Sequence, residues 1–201
     1  MKGSNISKKN STSSSIFFLV GLAILFLTLF TTCHVEASKC RPSGRVRGKR
    51  PPSGQCSIEQ DDICCLEGKM YKVYKCSPPV TRHTKAYMTL NSFQGGGDGG
   101  SPSKCNNYYH SDDTMVVALS TGWYKGGSRC LKNVTITAPS GRSVVAMVVD
   151  ECDSSVGCDA EHDYQPPCAN NIVGASLAVW KALGVGREDW GGLDITWSDS
   201  S

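Results

Sequence analysis

Short segments in which apolar and polar residues alternate fill much of the chain after residue 85. Ala86, Met88 and Leu90 alternate with polar or aromatic neighbours, as in a strand with one buried face. Ser143–Val149 is apolar on both faces, which is typical of a strand buried on both sides. We predict strands at five places: Ala86–Leu90, Met115–Ser120, Val134–Ala138, Ser143–Val149 and Leu193–Trp197.

A helical pattern is convincing at one place, Ile172–Leu183, where Gly184 follows as a C-cap. Many short strands, glycine-rich turns and a single short helix favour a small β-barrel over a sandwich of long strands. We therefore expect a mainly-β fold.

The N-terminus has the pattern of a secretory signal peptide. Lys2, Lys8 and Lys9 precede the apolar run Ile16–Phe30, and small residues follow up to Ala37. A membrane anchor is the alternative, but this run is shorter than the roughly 20 residues that span a bilayer. We predict that residues 1–37 are a signal peptide cleaved after Ala37, so that the mature protein is extracellular and free of the membrane.

The cysteine count supports the same compartment. The chain has eleven cysteines, and Cys33 falls within the predicted leader. An even number remains, which predicts five disulfides in an oxidising compartment and argues against zinc, catalytic thiols and cofactors. The neighbours Cys64 and Cys65 should bond to different partners, and the sequence leaves the pairing open. The ten cysteines are Cys40, Cys56, Cys64, Cys65, Cys76, Cys105, Cys130, Cys152, Cys158 and Cys168.

Residues 38–76 differ in composition from the rest. Lys39–Gln55 has three prolines, three glycines and one aliphatic residue, and five cysteines lie between Cys40 and Cys76. We predict an irregular cysteine-rich arm here, held by covalent bonds rather than by a hydrophobic core. Residues 77–201 would then form the barrel domain.

Charge is nearly balanced in the predicted mature chain, with 18 Lys and Arg against 17 Asp and Glu. No global basic field therefore indicates nucleic acid. Lys39–Arg50 nevertheless holds six cations, and Asp150–Asp163 holds six acids. Two interpretations stay open: two solvated loops that face each other, or a basic arm for acidic wall polymers or another anionic partner.

Candidate catalytic and metal-binding residues are weak. Asp150, paired with Asp98 or Asp112, would be the carboxylates of a glycan hydrolase. A carboxylate at a strand end more often caps the next turn, so we expect no catalysis. The histidines His83, His110 and His162 lack ligand spacing, and we expect no metal. Asn133 begins an Asn-Val-Thr glycosylation acceptor.

Two aromatic–polar segments are candidate binding loops, because such side chains bury much area while ordering few torsions. Trp123 and Tyr124 could equally face into the barrel. The candidate partner-binding residues are Tyr108, Tyr109, His110, Asp112, Asp113, Trp123, Tyr124, Lys125 and Arg129.

Six motifs together carry a family resemblance. They are CSPPVT at 76–81, GGDGG at 96–100, ALSTGWYKGGSRC at 118–130, VVDECD at 148–153, CDSSVGCDAEH at 152–162 and CANNIV at 168–173. The order resembles the double-psi β-barrel of barwin-like and expansin-like proteins, and the chain resembles the plant kiwellins, or ripening-related proteins, more closely.

The resemblance implies a six-stranded double-psi β-barrel with one short helix and a disulfide-rich arm, without the additional N-terminal cysteine-rich module of some kiwellins. It also implies a monomeric, non-catalytic plant defence protein of the apoplast. Such a protein would bind and inhibit secreted pathogen proteins such as fungal chorismate mutase. The alternatives are an expansin-like binder or loosener of wall polysaccharide, or a weak glycan hydrolase that uses Asp150.

Overall fold

The computed structural model describes residues 40–53, 56, 64–97 and 100–200. The predicted signal peptide with Cys33, and Asp98 in the glycine-rich loop, lie outside these residues. Within the described residues, no helix is long and apolar enough to cross a membrane.

Six strands close into a barrel. They are β3 (Thr84–Leu90), β4 (Val116–Ser120), β5 (Asn133–Thr137), β6 (Ser143–Cys152), β7 (Ile172–Ala175) and β8 (Leu193–Asp199). Their order around the barrel is β3-β7-β4-β6-β5-β8. The pairs β3–β7 and β4–β6 are parallel, and the other neighbours are antiparallel. This closed barrel confirms the mainly-β fold class.

The barrel interior is filled by side chains that alternate along the strands. Ala86 and Met88 of β3 are buried, whereas Lys85 and Tyr87, which alternate with them, are exposed. All five residues of β4 are buried, since this strand is covered on both sides. Trp123, Trp180 and Trp197 are the largest fully buried side chains.

The predicted helix is wrong over its first part. Ile172–Ala175 is β7, which pairs with both β3 and β4, and the helix α2 covers only Leu177–Leu183. β7 obtains its hydrogen bonds from strands distant in sequence, which outweigh a local helical pattern. Gly184 ends α2 in the left-handed conformation at φ 68°, as predicted. A second short helix, α1 (Thr121–Tyr124), and 3₁₀ turns at Ala160–His162 and Arg187–Asp189 were not predicted.

The sequence analysis expected an irregular N-terminal arm, but part of the arm is regular. β1 (Gly44–Arg47) and β2 (Met70–Val73) form an antiparallel hairpin, in which Gly44 lies opposite Val73 and Arg47 lies opposite Met70. The composition suggested no strand, because the two partners lie more than 20 residues apart and three of the four β1 residues are glycine or arginine.

The ten cysteines pair into five disulfides, as predicted. Cys64 and Cys65 have different partners, also as predicted. Three bonds lie within the arm or tie it to the barrel: Cys40–Cys76, Cys56–Cys64 and Cys65–Cys158. The other two lie in the barrel: Cys105–Cys130 joins two loops, and Cys152–Cys168 joins the end of β6 to the segment before β7.

Candidate partner-binding surface

The connection between β3 and β4 presents two neighbouring tyrosines to solvent. Tyr108 is 69% exposed and Tyr109 is 49% exposed. The ring of Tyr109 lies beside Gly95, where an added Cβ would be 3.6 Å from it. Tyr109 Oη also donates to the Gly100 carbonyl at 3.4 Å. We call residues 100–113 the tyrosine loop.

The tyrosine loop is fixed to the barrel by its own backbone. Ser103 N donates to Tyr108 O at 3.0 Å, which closes a tight turn beneath Tyr108. His110 N donates to Phe93 O at 2.8 Å, and Cys105 N donates to Val149 O of β6 at 3.0 Å. The backbone that carries the two tyrosines is therefore held against the barrel, which reduces the backbone entropy lost on binding.

A disulfide joins the tyrosine loop to the glycine turn at residues 125–130. Cys105–Cys130 has a Cα–Cα distance of 5.3 Å. Lys104 Nζ also lies 5.7 Å from the centre of the Tyr124 ring. The two candidate segments, which flank β4 in sequence, are thus connected through their neighbouring residues.

The polar candidates of the tyrosine loop have different surroundings. His110 is half-buried, with Nε2 3.3 Å from Asn106 Nδ2. Asp112 forms hydrogen bonds within the protein: its Oδ2 accepts from Gln94 Nε2 at 2.7 Å and its carbonyl accepts from Ala178 N. The Asp113 side chain is 85% exposed and forms only a loose ion pair with Lys181 at 3.5 Å.

Trp123 and Tyr124 belong to the core, which decides the alternative that the sequence left open. Trp123 is 1% exposed and Tyr124 is 7% exposed. The Trp123 ring meets Trp197 edge-on with centroids 5.1 Å apart, and its Nε1 donates to Pro78 O at 2.7 Å. Of the two interpretations that the sequence left open, the inward-facing one therefore describes both residues.

Local backbone geometry brings Trp123 to this position. α1 lies directly against the chain at Cys76 and Ser77, and a Cβ on Gly122 would come within 2.1 Å of Ser77 N. Only glycine fits there. Lys125 then ends α1 with a left-handed backbone at φ 51°.

Arg129, another predicted partner-binding residue, forms three hydrogen bonds within the protein. Its Nε donates to Asp199 Oδ1 at 2.7 Å and its Nη2 donates to Asp199 Oδ2 at 3.1 Å. Its Nη1 donates to Trp123 O at 2.7 Å, and the guanidinium lies 5.5 Å from the Trp197 ring centre. The bonds to Arg129 lower the pKa of Asp199 below its ordinary value. Among the candidates of this segment, Lys125 is the exposed one.

Asp150 lies within β6 and not at the strand end that the sequence analysis expected, and its carboxylate accepts from two backbone amides. Its Oδ1 accepts from Lys104 N at 3.0 Å and from Glu151 N at 2.8 Å. Burial raises the pKa of Asp150 above its ordinary value. Beside it, Lys104 Nζ pairs with Glu151, whose side chain is only 7% exposed. The sequence analysis missed this ion pair, because Lys104 and Glu151 lie 47 residues apart.

The remaining candidates are the glycosylation acceptor and a metal site. Asn133 is exposed at the start of β5. Within the described part of the chain, no three His, Cys, Asp or Glu side chains are grouped so as to hold a metal ion.

The fold and the surface define a class: a small β-barrel, cross-linked by disulfides, that presents exposed aromatic residues on a fixed loop. A family model described as Kiwellin-1 matches residues 25–200. The chain belongs to the kiwellin family.

Curated relatives agree with this family. A ripening-related protein of Oryza sativa subsp. japonica is 57% identical over 189 residues, which cover 90% of this chain and 94% of the relative. Kiwellin of Actinidia chinensis var. chinensis is 55% identical over 148 residues, which cover 74% of this chain and 68% of the relative.

Among solved structures, an expansin of Clavibacter michiganensis is similar with a TM-score of 0.43 and 22% identity, covering 59% of this chain and 50% of that one. At that level the similarity implies neither a shared ligand nor a shared activity.

Proposed function

We propose that this protein is a secreted, non-catalytic plant defence protein of the apoplast, which binds and inhibits a secreted pathogen protein. The observation that carries the proposal is the pair Tyr108 and Tyr109, 69% and 49% exposed on a cross-linked loop. Fungal chorismate mutase is the partner that we would test first. The mechanism is occlusion: a rigid loop covers a surface of the partner, and no bond is made or broken.

Energetics favour this surface as an anchor. Exposed tyrosines are enriched among the residues that dominate binding energy, because each buries a large amphipathic ring at low entropic cost. A specific interface buries about 800 Å² on each partner. The tyrosines cover part of that area, and exposed Asp113 and Lys125 supply polar contacts at its rim.

The experiment measures binding of purified fungal chorismate mutase, beside capture from fungal culture filtrate and sedimentation with cellulose and chitin. Tyr108→Ala with Tyr109→Ala should weaken protein binding by more than about 30-fold. The matched control is Tyr87→Ala, because Tyr87 is 41% exposed on the outer face of β3. It should leave binding within about twofold.

Equal losses in the tyrosine-loop variant and in Tyr87→Ala would contradict the assigned surface. Saturable binding to cellulose or chitin, with none to any secreted protein, would replace the proposal by the polysaccharide-binding alternative.

A further inference from the structure

The hairpin of the N-terminal arm presents a row of cations on one face. Arg45 of β1 lies directly opposite Lys72 of β2, and Arg47 lies opposite Met70. Side chains alternate between the faces of a strand, so these four residues share one face. All four are exposed. We call Arg45, Arg47 and Lys72 the cationic face.

The other face of the hairpin is turned inward. Val73 is buried, and Val46 and Tyr71 are half-buried. Tyr71 Oη accepts from Leu66 N at 2.8 Å, which fixes the inner face. The direction of the cationic face therefore follows from the pairing register and not from flexible side chains.

Among the described residues, none of Arg45, Arg47 and Lys72 forms an ion pair, although Glu67 lines the same depression as Arg47. Ion pairs there join Lys104 to Glu151, Arg129 to Asp199, His162 to Asp159 and Lys181 to Asp113. No acid of the segment 150–163 meets an arm cation in this part of the chain, so the interpretation that these two segments face each other gains no support.

Like charges directly opposite each other destabilise a sheet. The repulsion between Arg45 and Lys72 therefore lowers the stability of the hairpin, and no ion pair among the described residues offsets it. Charge is also distributed unevenly along the sequence. Residues 40–76 contain eight Lys and Arg against four Asp and Glu, and residues 77–201 contain nine against thirteen.

A disulfide and a backbone hydrogen bond hold the hairpin in place. Cys40–Cys76 closes its open end with a Cα–Cα distance of 5.6 Å. Tyr74 N, just past the end of β2, donates to Ser154 O at 2.7 Å and attaches the hairpin to the segment after β6. A depression of about 320 Å³ extends the face past the end of β1 and is lined by Arg47, Gly48, Lys49, Arg50 and Glu67.

We propose that the cationic face binds a linear polyuronate, a sugar polymer with a carboxylate on each unit. Arg45 and Arg47 are two residues apart on one strand, which separates their Cα atoms by about 7 Å along a straight line. Planar guanidinium groups match carboxylates with two parallel hydrogen bonds. The face is only two strands wide, which suits a single extended chain. Segments that bind anionic membranes usually carry four to eight cations, often beside large apolar side chains. This face carries three cations and one exposed apolar residue, Met70, which favours the sugar polymer.

The test measures binding of the mature protein to polygalacturonate by calorimetry at two salt concentrations. The triple variant Arg45→Gln, Arg47→Gln, Lys72→Gln should bind about tenfold more weakly. The matched control removes three exposed barrel cations, Lys85→Gln, Lys132→Gln, Arg142→Gln, and should change affinity by less than about twofold. The cationic-face variant should melt no lower than the parent, because it removes the opposed like charges of Arg45 and Lys72. The control variant should melt like the parent, because its three side chains are exposed.

A second arm requires no variant. Fully methyl-esterified polygalacturonate should not bind, and binding of the free acid should fall as salt rises. Equal losses in the two triple variants, equal binding of the esterified polymer, or tighter binding to phosphatidylserine vesicles than to polygalacturonate would each overturn the proposal. The tyrosine-loop variant should bind polygalacturonate normally, so failure of the proposed function and failure of this inference are separable.

Discussion

Replacement of Trp123 by alanine tests whether this residue stabilises the fold or contacts a partner. The indole is 1% exposed, packs on Trp197 and donates to Pro78 O at 2.7 Å. Truncation of a buried aromatic residue costs about 3–5 kcal/mol. Loss of the edge-on ring pair accounts for about 1 kcal/mol of this, and loss of the hydrogen bond for about another.

The expected loss of about 4 kcal/mol is a large part of the 5–15 kcal/mol by which domains are stable. For a domain of this size, each kcal/mol lowers the melting temperature by about 2–4 °C, so Trp123→Ala should melt roughly 8–16 °C below the parent. Trp123→Phe keeps a ring in the core and loses the donor to Pro78, so it should fall by less than half as much. Calorimetric melts of both variants, with Tyr108→Ala as the exposed aromatic control, provide the measurement.

The same proteins should separate stability from binding. Below its melting temperature, Trp123→Ala should retain partner affinity, whereas Tyr108→Ala should lose affinity and melt like the parent. A Trp123→Ala protein that melts within about 2 °C of the parent would refute the core assignment. Lost affinity at unchanged stability would restore Trp123 as an anchor.

The remaining predictions concern the disulfides, the carboxyl group of Asp150 and the ion pair of Arg129. Alkylation without reductant should modify no cysteine of the secreted protein in mass spectra, and gradual reduction should release the arm before the barrel; two or more alkylated cysteines would contradict the five-disulfide framework. Asp150→Asn should leave wall glucans without released reducing sugar, as in the parent, and sugar release that vanishes with the substitution would establish an enzyme. Because the folded protein raises the pKa of Asp150, the parent loses stability as pH rises from 3.8 through that raised pKa. Thermal melts across this pH window should show no such loss for Asp150→Asn, and identical pH profiles of the two proteins would contradict the raised pKa. Arg129→Gln should cost about 2–3 kcal/mol in denaturant unfolding at pH 7, beside Lys132→Gln as a control; because the pKa of Asp199 is lowered, the part due to this ion pair is present above 3.8 and is lost as pH falls through the folded pKa.

Local patterns in the sequence were enough for five of the six barrel strands and for the number of disulfides. The alternation around Met88 and Ile136 is a property of neighbouring residues, and both side chains are fully buried as expected. Gly184 ends α2 as predicted, because a left-handed cap depends on one residue type. An even cysteine count predicted complete pairing but left open which cysteine meets which.

The tertiary structure decided the features that depend on residues far apart in sequence. Ile172–Ala175 is a strand because β3 and β4 supply its hydrogen bonds on both sides. Arg129 is an internal contact because Asp199, 70 residues away, accepts both of its parallel bonds. Arg45 and Lys72 form one charged face only through the register of the hairpin. An aromatic or charged residue in a loop has the same local pattern whether it faces solvent or core, and only the partners that the fold brings within a few ångströms decide between these two positions.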